Sequence, residues 1–158
     1  MVRLRLIRRL LLRVRQVDNR RRALLAEAVA CLLAARLALI FMPFPRLARR
    51  LGTFVPPTDA RVSQVRTATA PDQSRCAEEI GWAVTRAAHY VPFRAVCLPQ
   101  AMAARVMLKR RGVESVMHFG AAKGQDKPLD AHAWLDAAGV EVTGYPVAKG
   151  LAEIACVL

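Results

Sequence analysis

The feature that most constrains this chain is a change of period at Gly112. Before that glycine, apolar residues recur at helical spacing in segments ended by proline or glycine; after it they alternate as in strands. VESVMHFGA (113–121) reads as a strand. AHAWLD (131–136) and VEVTGY (140–145), separated by AAG, read as a β-hairpin with Gly139 near its tip, and EIACVL (153–158) as a further strand. Helices first and antiparallel strands afterwards predict an α+β fold. A length of 158 residues fits one domain with a helical appendage.

The helical part divides at its breakers. Residues 2–17 form an amphipathic segment, with Ile7, Leu10, Leu11, Val14 and Val17 on one stripe and Arg5, Arg9 and Arg13 on another. A second helix is predicted from Asp18 or Asn19 to Met42, stopped by Pro43 and Pro45. A third runs from Asp72 to Tyr90, ended by Pro92, and a fourth from Cys97 to Gly112. The organisation expected is a basic and apolar helical region over 1–55, a linker over 56–71 punctuated by Pro56, Pro57 and Pro71, and a core over 72–158.

Charge is concentrated at one end. Residues 1–50 hold 13 of the 25 basic side chains and only Asp18 and Glu27 against them, whereas 51–158 hold 12 basic and 10 acidic residues. A basic arm of this kind meets nucleic acid, an anionic membrane surface or an acidic protein. Nucleic acid is not expected as a partner, since no reader motif or interleaved aromatics accompany the arginines. Membrane contact is not favoured either. The apolar stretch ALLAEAVACLLAARLALIFMPF is interrupted by Glu27 and Arg36, each central charge costing roughly 2.5–3.5 kcal/mol on insertion. Arginine recurs through the first segment, unlike the continuous apolar run of a secretory signal.

Cysteines 31, 76, 97 and 156 form no CxxC pair, and the His and Cys spacing offers no closed metal site, so no metal is expected. Cys97 is set apart by position. It follows the loop VPFRAV and opens a helix, where unpaired backbone N–H groups and the positive end of the dipole favour a thiolate and can hold an oxyanion. His132 stands 35 residues further on, in a strand whose alternation puts His132, Trp134 and Asp136 on one face. A helix-start thiol and a strand imidazole are the pair a thiol enzyme needs, the imidazole taking the thiol proton and returning it to the leaving amine. His89 and His118 are the competing histidines and read more simply as a helix-end and a structural group. Trp134 reads equally as a wall over the thiol pocket or as core filling.

The strings CLPQAMAARVMLKRRGVESVMHFGAA and DAHAWLDAAGVEVTGYP, with Pro43 to Arg46 and LARRLG upstream, resemble the leader peptidases of lasso-peptide biosynthesis, in the transglutaminase-like branch of the papain-type fold. The resemblance spans nearly the whole chain. It implies N-terminal helices followed by a papain/transglutaminase-like core, in which a helix-start cysteine packs on a small antiparallel sheet. It implies a cysteine protease that removes the leader from a ribosomally made precursor, with Cys97 as nucleophile and His132 as general base and acid. The partners implied are the precursor peptide, a small leader-recognition protein separate from this chain, and an ATP-dependent cyclase that closes the macrolactam. No cofactor is implied for this chain itself, and ATP belongs to the cyclase, in keeping with the lack of a Gly-rich phosphate loop here. A cytoplasmic location is expected from the lack of an export signal and the need for a reduced thiol.

A third catalytic member is open on the residues alone. Asp136 shares the face of His132 two alternate steps along, Asp130 precedes it by one, and a backbone or water orienter is an equal choice. A three-residue hairpin turn sets Gly144 opposite His132, a two-residue turn Tyr145, and in the latter Glu141 faces Asp136. The rival from another class is a catalytically inactive basic interaction module that docks on a partner protein or a membrane surface.

Overall fold

The computed structural model describes residues 19–67, 70–123 and 130–158, so the predicted amphipathic segment 2–17 and most of the loop KGQDKP lie outside the described residues. Five helices and five strands follow one another: α1 Asn19–Phe41, α2 Phe44–Leu51, β1 Phe54–Val55, α3 Ala60–Thr67, α4 Pro71–Ala88, α5 Cys97–Lys109, β2 Val116–Ala122, β3 Asp130–Ala137, β4 Val140–Thr143 and β5 Ala152–Val157. The strands form one sheet in the order β1-β5-β2-β3-β4, every neighbouring pair antiparallel. The α+β class predicted from the change of period is the observed one.

One face of the sheet carries the main core. Met117 of β2, Leu135 and Ala137 of β3 and Val157 of β5 pack with Ile80 and Val84 of α4, Ala104, Met107 and Leu108 of α5, and Leu24, Ala28, Leu32 and Ala35 of α1. Alanines and a glycine allow close approach: a Cβ on Gly81 would lie 2.6 Å from the Val142 carbonyl oxygen, so α4 crosses β4 only because that position is bare. Arg105 fastens three elements by donating to the carbonyls of Leu51, Ser115 and Val157 at 3.0, 2.6 and 3.3 Å.

The segment expected to be a linker, 56–71, holds α3, and β1 lies just before it. β1 pairs with β5 (Phe54 with Val157, Val55 with Cys156), and α3 covers the second face of the sheet, where Val55, Val62, Val116 and Cys156 make a small core. These elements escape a period argument because each is short and buries little: α3 hides Val62 alone. The hairpin turns through Ala138 and Gly139, at φ 49° and 76°, a two-residue turn with both central residues left-handed. Ala137 pairs with Val140 and Asp136 with Glu141, and a bulge then shifts Leu135 onto Thr143.

Candidate active site

Cys97 is the first residue of α5, after Val96 in an extended conformation. Helix geometry leaves the first-turn amides without intrahelical acceptors, and Pro99 has no N–H, so the open donors at this end are the amides of Cys97 and Leu98. The loop that delivers the cysteine is tied back to the helix by Gln100, whose Nε2 donates to the Ala95 carbonyl at 2.7 Å. Cys97 is half-buried.

His132 is the third residue of β3 and pairs with Gly120 of β2. Six residues connect α5 to β2, and α5 packs on β3 and β4. The imidazole Nε2 lies 2.6 Å from the Gly144 carbonyl oxygen. A carbonyl oxygen only accepts, so Nε2 carries the hydrogen and a neutral ring presents its lone pair at Nδ1. Gly144 serves this contact by conformation: its φ is +85°, and a Cβ there would meet the Ala133 carbonyl oxygen at 2.5 Å and Trp134 Cα at 2.8 Å. No hydrogen bond joins Cys97 to His132 among the described residues.

Strand alternation sends Leu135 and Ala137 into the helix-facing core and His132, Trp134 and Asp136 to the other face, so the His132 ring stands on the face away from α5 and is not brought together with Cys97. Trp134 lies between two histidines there, its ring 5.3 Å from that of His118 and 6.0 Å from that of His132.

Asp136 is not engaged with His132. Four residues of strand separate them by about 14 Å, and the carboxylate is occupied elsewhere: it accepts from Tyr145 Oη, lies 3.0 Å from Arg66 Nε and lies 3.3 Å from His118 Nε2. Burial opposes its charge, but the nearby His118 imidazole and the Tyr145 hydroxyl, with Arg66 beside them, hold its pKa below the ordinary carboxylate value. The contact made by His132 is to a backbone carbonyl, one of the orienters the sequence left open.

A second cysteine–histidine pair was not visible in the sequence. Cys156 Sγ lies 3.4 Å from His118 Nδ1, and both meet Glu153 Oε1, at 2.9 and 2.5 Å. This thiol is unfit as a nucleophile. Cys156 is 0% exposed, and burial, helped by the hydrogen bond to Glu153, pushes its pKa up to about 12. Burial also raises the thiols of Cys31 and Cys76. His89 closes α4, its Nδ1 2.7 Å from the Thr85 carbonyl oxygen, an exposed local contact.

No curated protein and no solved structure matches this sequence. The profile described as the Transglutaminase-like superfamily matches residues 38–156, a span that takes in the end of α1, the cysteine-bearing helix and nearly the whole sheet. On that match, together with an α+β fold in which a helix opening on cysteine packs against an antiparallel sheet, the chain belongs to the transglutaminase-like superfamily.

Proposed function

We propose that this protein is a cysteine protease that removes the leader peptide from a ribosomally made lasso-peptide precursor, with Cys97 as nucleophile and His132 as general base and acid. The observation that carries the reading is the bond from His132 Nε2 to the Gly144 carbonyl, which fixes the tautomer a thiol enzyme needs. Membership of a superfamily of cysteine proteases and acyltransferases supports the chemistry. The leader-peptidase assignment rests on the motif resemblance.

In this scheme Nδ1 takes the Cys97 proton, and the thiolate attacks the scissile carbonyl. The oxyanion is held by the amides of Cys97 and Leu98. The imidazolium returns its proton to the leaving amine, which becomes the free amino end of the core peptide. Water, activated by the same imidazole, then hydrolyses the thioester and releases the leader carboxylate. The scheme requires the His132 side chain, which stands on the face of β3 away from α5, to swing to the Cys97 thiol when substrate binds. The freed amine passes to an ATP-dependent cyclase, and a small recognition protein presents the leader. The reading locates the reaction in the reducing cytoplasm, needs no cofactor on this chain and involves no nucleic acid.

The test is mass spectrometry of a precursor incubated with this protein and its recognition partner. Cys97→Ala and His132→Ala are expected to abolish cleavage with helical content unchanged; normal cleavage by both variants would overturn the assignment.

A second reading gives the N-terminal third a docking role, and one observation favours it. α1 is long and apolar enough to cross a membrane, yet it turns only one side to the core. Val29, Leu33, Leu37, Ile40 and Phe41 form an exposed stripe, Phe41 at 79%. In the inactive-module form of this reading, an electrophilic thiol probe labels Cys97 no faster than Cys76.

A further inference from the structure

We propose that His118, Glu153 and Cys156 form a binding site for one divalent transition metal of the zinc class, which fastens the last strand of the sheet to its centre. The three side chains offer one nitrogen, one carboxylate oxygen and one sulfur, all within 4.8 Å of one another. This donor set suits zinc and its neighbours rather than calcium or magnesium.

The geometry is close to that of a loaded site. Tetrahedral zinc with ordinary bond lengths holds its nitrogen and sulfur ligands about 3.5 Å apart. Cys156 Sγ and His118 Nδ1 are 3.4 Å apart already. Glu153 sits tighter than a metal would allow, at 2.5 Å from Nδ1 and 2.9 Å from Sγ, because hydrogens now join it to both. Its side chain is 30% exposed and lies at the rim, so it is free to swing outward by about the 1 Å that a tetrahedral arrangement requires. The thiol and Nδ1 protons leave to solvent as the metal enters. Three protein ligands leave a fourth position for water.

Two independent features point to a metal. The first lies behind the histidine. Nε2 of His118 is buried, makes no well-formed hydrogen bond, and faces Asp136 Oδ2 at 3.3 Å. Asp136 is itself held by Tyr145 and by Arg66. A carboxylate behind the distal nitrogen is the usual support of a metal-bound imidazole, fixing its tautomer and ring plane. The stacked Trp134 ring, tilted only 5° from the imidazole, holds that plane from the side.

The second is in the backbone. Glu153 and Cys156 are three residues apart and would face opposite sides of a regular strand. β5 bulges where its partners step from Phe119–Ala155 to Gly120–Glu153. The extra residue, Ile154, is 62% exposed, and the bulge turns Glu153 onto the face that holds Cys156 and His118.

The full chain, stripped with a chelator, should bind one equivalent of cobalt(II) and show a thiolate-to-cobalt charge-transfer band with tetrahedral d–d absorption. Cys97→Ala should keep that band and Cys156→Ser should lose it. Glu153→Gln, a change at the exposed rim, should weaken cobalt binding at least about tenfold and reduce the rise in Tm that zinc gives the unaltered chain. Asp136→Asn should weaken binding about 10–100-fold. Failure of the unaltered chain to bind cobalt or zinc stoichiometrically, or undiminished binding by Glu153→Gln, would overturn the site. No peptide substrate enters these measurements, so their outcome is separate from that of the protease assignment.

Discussion

Gly144 connects backbone conformation to chemistry at a single position. Its left-handed φ and the bare space where a side chain would meet Ala133 and Trp134 let its carbonyl reach the His132 ring. Gly144→Ala is expected to cost about 1–3 kcal/mol of stability from strain at positive φ. Because the carbonyl must shift, it should lower kcat for the proposed leader cleavage more than it raises KM. Thermal melts and steady-state kinetics check the two effects separately; an unchanged kcat would remove Gly144 as a positioning residue. The contrast with Asp136 is instructive. Alternation placed Asp136 on the face of His132, and it is there, but a shared face does not imply reach. The same strand spacing that keeps it about 14 Å away brings it opposite Val116, one pleat from His118.

Among the elements, α1 and α5 are joined by charge as well as by apolar packing. Glu27 lies 2.6 Å from Arg111 and 3.2 Å from Arg110 at the end of α5. The Arg111 hydrogen bond holds the Glu27 carboxyl below its ordinary 4.5. A lowered carboxylate pKa gives stability that is complete above the unfolded value and is lost as pH falls through the folded one. Glu27→Gln should therefore destabilise the protein near neutral pH, by roughly 1 kcal/mol after allowance for solvent screening, and should flatten the loss of stability below about pH 4.5. Denaturant melts across the acid range read both effects. The long helices were legible because Pro43, Pro92 and Gly112 mark their ends and their apolar spacing is sustained. The strands were legible by alternation, and the β-turn by its glycine. What stayed hidden is what period cannot carry: a two-residue strand, an eight-residue helix with one buried side chain, and bulges that change which residues face each other.

At the scale of the whole molecule, the apolar N-terminal helix and the family core share one interior. The family match begins at residue 38, inside α1, yet the helix buries Leu24, Ala28, Cys31, Leu32 and Ala35 against α4 and α5 before that point. Leu32, fully buried, tests this: Leu32→Ala should cost about 2–5 kcal/mol in the folding of the whole chain, in one cooperative transition seen alike by helical circular dichroism and tryptophan fluorescence. Two separated transitions would mean that α1 is an appendage. Cys97 opens a helix on one face of the sheet and His132 stands on the other, a relation that spacing alone does not give. The histidine's carbonyl partner depends on a hairpin register that a bulge decides.

That last strand has a consequence for tracing this protein's kin. Whether Glu153 meets Cys156 is decided by one unit of chain length, Ile154, and not by the identity of either side chain. Removing Ile154 would restore the ordinary pleat and send the carboxylate to the other side of the sheet. A relative that keeps the same histidine, glutamate and cysteine but is shorter there by one should have all three donors in its alphabet and only two in its cage.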